Sequence, residues 1–168
     1  SGEIAFRVEF EGTAPAPAQR YWRGPVLTDF DGREWKVRDS ALRREPNYTE
    51  EGPAYRYSMT LEAHNRGWLL ALDYPGSGIE NALYGDDLTL LSRRAVRSRI
   101  RYSLSSYPAT PVGLDERQYV LAAALRLPAG SNPRTAALGA ALQAASLEPS
   151  ARVEAAIAFM RSARLAYT

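Results

Sequence analysis

Few residues in this sequence could do chemistry. Its 168 residues contain no cysteine and one histidine, His64. A thiolate nucleophile, a thiolate zinc site and a disulfide framework are therefore excluded. A transition-metal centre would have to be built from carboxylates alone, and no Ser/His/Asp arrangement exists beyond that one imidazole. His64 is followed by Asn65, Arg66 and Gly67, which reads as a solvated turn. Asp29, Asp31 and Gly32 resemble the start of a calcium loop, but such a loop closes on a glutamate at its twelfth position, where this chain has Ser40. The adjacent carboxylates Glu50–Glu51 and Asp86–Asp87 do not make an acid–base pair, because that needs two groups converging on one site with separated pKa values. Both pairs read as solvated surface.

The remaining candidates are basic and aromatic. Arg97, Arg99 and Arg101 fall on one face of a strand-like alternation, with Arg93 and Arg94 just before. Such a row could bind an anionic polymer, and these three arginines are the candidate binding residues. The simpler reading, which we favour, is the solvent face of an edge strand, where charge blocks strand-to-strand aggregation. Tyr21–Trp22 and Tyr55/Tyr57 could stack on sugars, although their strand-like spacing favours core filling. No catalytic residue, metal ligand or cofactor site is expected.

Composition sets the frame for these residues. Hydrophobic residues make up 45% and charged residues 24%, ordinary globular usage in a chain long enough to bury a core. The formal charge of +2 and pI of about 9.0 are too mild for a nucleic-acid binder. Lys36 is the one lysine among 21 basic residues. The longest strongly apolar run, Trp68 to Leu72, falls far short of the ~20 residues that span a bilayer. No membrane contact by this segment is expected.

The first two-thirds reads as strands. Ile4, Phe6, Val8 and Phe10 alternate with polar neighbours, as do Tyr55, Tyr57, Met59 and Leu61, the period of a half-buried strand. Asp31–Gly32 predicts a two-residue hairpin turn. That turn pairs Phe30 with Arg33, Thr28 with Trp35 and Val26 with Val37, and buries Val26, Phe30, Trp35 and Val37. Residues 38–53 read as a surface loop, Trp68–Leu72 as one short buried strand, Pro75–Gly78 as a turn and Leu88–Leu91 as a short strand. The last and longest strand is expected to turn Val96, Ile100, Tyr102 and Leu104 inward. After Pro111 the pattern becomes helical. Asp115 is the expected cap of a helix running to about Arg126, with Gln118 at capping-box spacing. Asn132 is expected to cap a second helix with Pro133 at its first position and an apolar stripe of Leu138, Ala141, Leu142 and Ala145. Ser150 is expected to cap a third, with Val153, Ile157 and Met160 on one face. The fold class is α+β: an antiparallel β-sandwich or barrel-like module over residues 1–113, then about three helices over 114–168.

Several short motifs follow one another along the chain: Tyr21-Trp22-Arg23-Gly24, Val26-Leu27, Phe30-Asp31-Gly32-Arg33 with Trp35, Leu127-Pro128, Asn132-Pro133-Arg134, and Tyr167-Thr168 after an amphipathic helix. Together they resemble the bacterial transglutaminase-like inner-membrane protein family of the transglutaminase protein A type, from about Phe6 to Thr168. The resemblance implies a periplasmic segment of a membrane-tethered parent. It implies that this parent carries a Cys-His-Asp triad that catalyses acyl transfer from glutamine side chains to amines. It further implies that the helices from about Asp115 to Arg164 lead into that catalytic core, with the family's cysteine downstream of Thr168. His64 has no counterpart in the triad, so no catalytic residue carries over. The expected role is structural support or substrate presentation, and the expected partner is the downstream core of the same polypeptide. The rival is a binding module for peptidoglycan or a periplasmic protein. Self-association through the bare face of the third helix is a further expectation, since large apolar patches are uncommon on soluble monomers.

Overall fold

The structure is a computed structural model that describes residues 3–37 and 42–163. Tyr167–Thr168 and Ser40 lie outside the described residues. The α+β expectation holds: antiparallel strands come first and three helices follow.

Strand alternation fixes the first sheet. β1 (Phe6–Phe10), β6 (Tyr55–Leu61) and β11 (Ile100–Ser106) pair antiparallel in the order β1-β6-β11. The register aligns Phe6, Leu61 and Ile100, then Val8, Met59 and Tyr102, then Phe10, Tyr57 and Leu104. Every apolar position therefore meets an apolar neighbour on one face, the arrangement from which a sheet draws its side-chain stabilisation. Tyr57, Met59 and Leu61 on the central strand are buried. Trp22 of β2 (Trp22–Arg23) covers this face, with ring centroids 5.6 Å from Phe6 and 5.7 Å from Tyr57.

The other strands are short. β3 (Asp29–Phe30) and β4 (Trp35–Lys36) form a hairpin; β5 (Leu42–Arg43), β9 (Ala82–Gly85), β10 (Leu90–Ser92) and β7 (Trp68–Leu69) form a four-stranded sheet in the order β5-β9-β10-β7. β8 (Ala71–Leu72) pairs with β2. Trp68–Leu72 is thus two strands, serving two different sheets and separated at Leu70. β5 falls inside the stretch expected to be loop, and β9 had no expectation at all. Leu69, Ala71, Leu72, Ala82, Tyr84, Leu90 and Val96 join the first sheet's residues in one buried core. Val96 is buried from a loop ahead of β11.

Side-chain hydroxyls join the strands where backbone ladders stop. Ser106 Oγ donates to the Leu72 carbonyl at 2.6 Å, and the Leu72 N–H donates to Tyr57 Oη at 2.7 Å. The Tyr57 hydroxyl lies 2.9 Å from Ser106 Oγ. Because the Ser106 proton is committed to Leu72, Tyr57 must be the donor, which closes a ring of three bonds. Tyr102 repeats the device two residues earlier, donating to the Leu70 carbonyl at 2.7 Å and accepting the Leu70 N–H at 3.1 Å. Burial pushes the Tyr57 pKa up to about 12, so its hydroxyl keeps its proton across the working pH range.

Four local expectations need correction. The hairpin turn is shifted by one residue: Asp31 N–H donates to the Glu34 carbonyl at 3.1 Å across Gly32 and Arg33, and Asp31 Oδ1 accepts the N–H groups of Arg33 and Glu34, both at 2.9 Å. The aspartate side chain builds the turn itself, which shifts the register, and Trp35 and Val37 stay exposed instead of buried. Helix α1 (Gln118–Ala124) begins after Arg117 rather than Asp115. Asn132 does stand before α2 (Pro133–Ala145), but in a left-handed conformation and without a side-chain cap bond. α3 (Pro149–Ser162) is preceded by Glu148, so Ser150 lies within its first turn.

The chain divides into two compact units. One comprises the chain up to Asp29 with Trp35–Leu125, and the other Phe30–Glu34 with the chain from Arg126 on. In the second unit α2 and α3 pack as a pair. Arg152 of α3 donates to the Ser146 and Leu147 carbonyls at 2.7 and 2.9 Å, and the first of these is the C-cap carbonyl that α2 leaves open. Leu138 and Leu142 are half-buried. Val153, Ile157, Phe159 and Met160 are exposed.

Replacing Tyr57 with Phe keeps the ring but strands the Leu72 N–H without an acceptor. The expected loss is about 1–3 kcal/mol, read as a lower urea midpoint with an unchanged slope.

Candidate functional site

The clearest concave feature of the β unit is a cleft of about 250 Å³ lined by Ala18, Gln19, Tyr21, Pro53, Tyr55, Asp73, Tyr74, Pro108 and Ala109. Strand registers bring these residues together. Tyr21 precedes β2 and Asp73 follows β8, and the Asp73 N–H donates to the Tyr21 carbonyl at 3.2 Å. Tyr55 opens β6 opposite Ser106 at the end of β11, and the Tyr107 N–H donates to the Tyr74 carbonyl at 2.9 Å. The cleft therefore sits where β2, β6, β8 and β11 share one end.

A charge pair stiffens its wall. Arg23 Nε and Nη2 donate to the two Asp73 carboxylate oxygens at 2.7 and 3.2 Å, a bidentate match that arginine geometry favours. The guanidinium lies 5.4 Å from the Tyr21 ring centroid and 5.9 Å from that of Tyr74, within cation–π range. Burial works against the charge on Arg23, but the Asp73 carboxylate outweighs it, so the guanidinium pKa rises. Tyr48 supports the arrangement from behind. Its ring packs on Tyr74 at 5.8 Å, and its hydroxyl donates to the Pro75 carbonyl at 2.6 Å.

Glu50 holds the neighbouring loop. Its Oε1 accepts the Ser77 N–H at 2.5 Å, and that bond holds the carboxyl pKa below its ordinary value. A Cβ at Gly76 would lie 2.8 Å from Tyr107 Cε2 and 3.2 Å from Glu50 Oε1, so any side chain there would push the Tyr107 ring or the Glu50 carboxylate aside. Glu50 is thus a structural anchor rather than solvated surface. The Asp86–Asp87 pair is likewise engaged: Asp86 Oδ1 lies 3.0 Å from Arg43 Nη2, and Asp87 Oδ1 accepts the Thr89 N–H at 3.2 Å.

The residues singled out from the sequence fall as follows. Arg99 Nε donates to both Glu62 oxygens at 3.0 Å. Arg101 Nη2 donates to Glu9 Oε2 at 2.5 Å and Ser58 Oγ at 2.9 Å. Arg97 is exposed ahead of β11. Two members of the row are therefore spent on cross-strand ion pairs along the exposed face of the first sheet. His64 lies in a turn: its Nδ1 accepts the Arg66 N–H at 3.2 Å, its Nε2 faces the Trp68 carbonyl at 3.1 Å, and its ring stacks on Trp68. Trp22 and Tyr57 are packing residues, whereas Tyr21 is 61% exposed. Asp73, Tyr74 and Arg23 gave no chemical signal in the sequence. Only the pairing of β2 with β8 brings them to one place.

The TgpA N-terminal domain family model matches residues 1–113. This chain belongs to that family. A protein-glutamine gamma-glutamyltransferase of Pseudomonas aeruginosa is 33% identical over 171 residues, covering all of this chain and 25% of the relative. Two crystal structures of the periplasmic domain of TgpA from Pseudomonas aeruginosa, one bound to ethylmercury, superpose with TM-scores of 0.88 and 0.89 at 32% identity. Both cover the whole of this chain, which spans 60% and 59% of theirs. This TgpA-family chain is thus similar, over its full length, to part of a periplasmic domain, and it is a periplasmic segment. No helix among the described residues is long and apolar enough to cross a membrane. Two of the motifs that carried the resemblance also meet in space. A Cβ at Gly32 would lie 3.9 Å from Pro128 Cγ, and Asp31–Arg33 line one shallow depression with Pro128–Ser131.

Glu50 gives the site a pH signature. A depressed folded pKa stabilises the protein above the ordinary carboxylate range, and that contribution is lost as pH falls through the depressed value. Glu50→Gln is expected to lower the melting temperature at pH 7. The gap from wild type should close as pH drops below about 4, measured by thermal melts across pH.

Proposed function

We propose that this chain is the non-catalytic N-terminal part of a periplasmic transglutaminase-like region whose parent transfers the acyl group of protein glutamine to amines. The observation that carries this reading is the full-length likeness to part of the TgpA periplasmic domain in a chain that has no cysteine. Acyl transfer of that kind needs a nucleophile activated by a neighbouring base. Neither the tyrosine cleft nor the arginine row supplies one. The partition that fits this role is a β-rich module over residues 1–113 and a helical segment over 114–168 that leads into the catalytic core.

The role is structural support for that core. The exposed face of α3, with Val153 59% and Met160 52% exposed, supports it. Such a face is covered in a complete domain, and the relative's solved periplasmic domain is longer than this chain. The occupant of the α3 face is therefore the following part of the same polypeptide.

Two measurements test this. Full-length polypeptide is expected to incorporate a primary amine into a glutamine-donor protein, and the 168-residue chain is expected not to. Incorporation by the short chain would overturn the reading. Ile157→Asp with Met160→Asp should shift the stability of the isolated chain by no more than about 0.5 kcal/mol per site, as at exposed positions. In the full polypeptide the same pair should cost several-fold more, as at buried ones. Equal effects in the two backgrounds would remove α3 as the contact.

A further inference from the structure

We infer that the cleft between Tyr21, Tyr55 and Tyr74 binds a short, extended, uncharged peptide stretch rich in proline. The inference starts from how the tyrosine hydroxyls are used. Tyr48, Tyr57 and Tyr102 each bond to a backbone carbonyl or a buried hydroxyl, and the Tyr84 hydroxyl donates to the Gly76 carbonyl. The three tyrosines lining the cleft differ: among the described residues their hydroxyls have no protein partner. They stand around one concavity together with Pro53, Pro108 and the exposed Gln19.

The chemistry selects the ligand. Asp73, the only carboxylate in the lining, is occupied by both arms of Arg23. The cleft therefore offers no unbalanced charge to an anionic or a cationic polymer. A sugar is held mainly by carboxylate, amide and guanidinium groups that bridge its vicinal hydroxyls, and here the carboxylate and the guanidinium are spent on each other. What remains is flat aromatic and proline surface interleaved with hydroxyls and the single amide of Gln19, too few polar groups to bridge the vicinal hydroxyls of a sugar. A polyproline-type segment has the complementary surface, because its backbone makes no internal hydrogen bonds. Its ring faces stack on aromatic grooves while its carbonyls take hydrogen bonds from the rim. A volume of about 250 Å³ suits one or two residues of such a segment. The walls are also set in advance, with Tyr74 backed by Tyr48 and Arg23 facing both Tyr21 and Tyr74, so little side-chain ordering is left to oppose binding. That the bound segment comes from a glutamine-donor protein rests on the function proposed above, whereas the site itself rests only on this geometry.

The test is a backbone-amide NMR titration of the 168-residue chain with a capped peptide of alternating proline and alanine. An N-acetylglucosamine oligomer and an oligoglutamate serve as the competing probes. The expected result is saturable shifts confined to residues 18–23, 53–55, 73–74 and 107–109 with the proline peptide, and none there with the other two. Tyr21→Ala should weaken binding about tenfold, and Tyr21→Phe, which keeps the ring and loses the hydroxyl, about threefold. Ala109→Arg fills the cleft from an exposed position and should abolish binding, while Arg97→Ala should leave it unchanged. An absent response to the proline peptide would overturn the proposal. So would an equal or stronger response to the sugar or the oligoglutamate, or wild-type binding by both Tyr21→Ala and Ala109→Arg. A failed titration removes the cleft and leaves the structural, non-catalytic role untouched, because that role is read out by amine incorporation.

Discussion

The β unit depends on how the segment from Leu69 to Asp73 is anchored to the first sheet. A buried peptide group must find a partner, and this segment changes partner strand at Leu70, so no single ladder can serve it. Hydroxyls on β6 and β11 take over. Tyr102 receives both peptide groups of Leu70, and the Tyr57–Ser106 pair receives both of Leu72. The two-residue spacing matches the strand period, so alternate residues present their backbone to the hydroxyls. Each member of the Tyr57–Ser106–Leu72 ring both donates and accepts. Removing one therefore leaves another unpaired, which makes such a network cooperative. Asp73 and Tyr74 follow directly, and the cleft geometry is a consequence of this anchorage.

Five arginines of the β-rich part are matched by carboxylates. Arg23 is matched by Asp73, Arg43 by Asp86, Arg7 and Arg99 by Glu62, and Arg101 by Glu9. Exposed pairs of this kind contribute little each. Their effect is local: they neutralise the arginines and keep charge on β1 and β11, the two edges of the first sheet, where it discourages strand addition. The Arg23–Asp73 pair is different, with both side chains less than one-fifth exposed. Its two parallel bonds fix the position of the Tyr21 and Tyr74 rings.

Alternating apolar residues made the long strands legible. β1, β6 and β11 each bury one face, and a one-residue slip would expose it, so the pattern fixes position and register together. Strands of two to four residues carry too few alternations to stand out. β5 therefore reads as part of a loop, and β9 carries no pattern of its own. The break at Leu70 was equally silent, because a run of apolar residues looks the same whether it serves one sheet or two. Helix starts were misplaced for a different reason. Asp115 and Ser150 are good caps in type, yet neither stands at the capping position. The Asp31–Gly32 signal was correct as a turn and wrong in its register, because the aspartate carboxylate bonds its own loop. The cleft was the least legible feature. Its residues come from several strand ends, and none is chemically conspicuous alone.

An exposed tyrosine hydroxyl costs nothing, since water satisfies it, so unbonded hydroxyls alone do not call for a ligand. What sets the three cleft tyrosines apart is that they are held in place. Tyr21 is well exposed on its outer face but lies against Arg23, Tyr74 is backed by Tyr48, and the Tyr55 backbone is fixed by its register opposite Ser106. A free surface aromatic gains from rotamer freedom, and fixing one gives that up. The buried Arg23–Asp73 pair adds a desolvation cost that its hydrogen bonds must offset. A chain that needed only a stable scaffold could close this end with apolar residues and avoid both costs. Keeping an open, stiff, charge-balanced aromatic cleft at the point where four strands converge makes physical sense if something of matching shape and polarity lies across it.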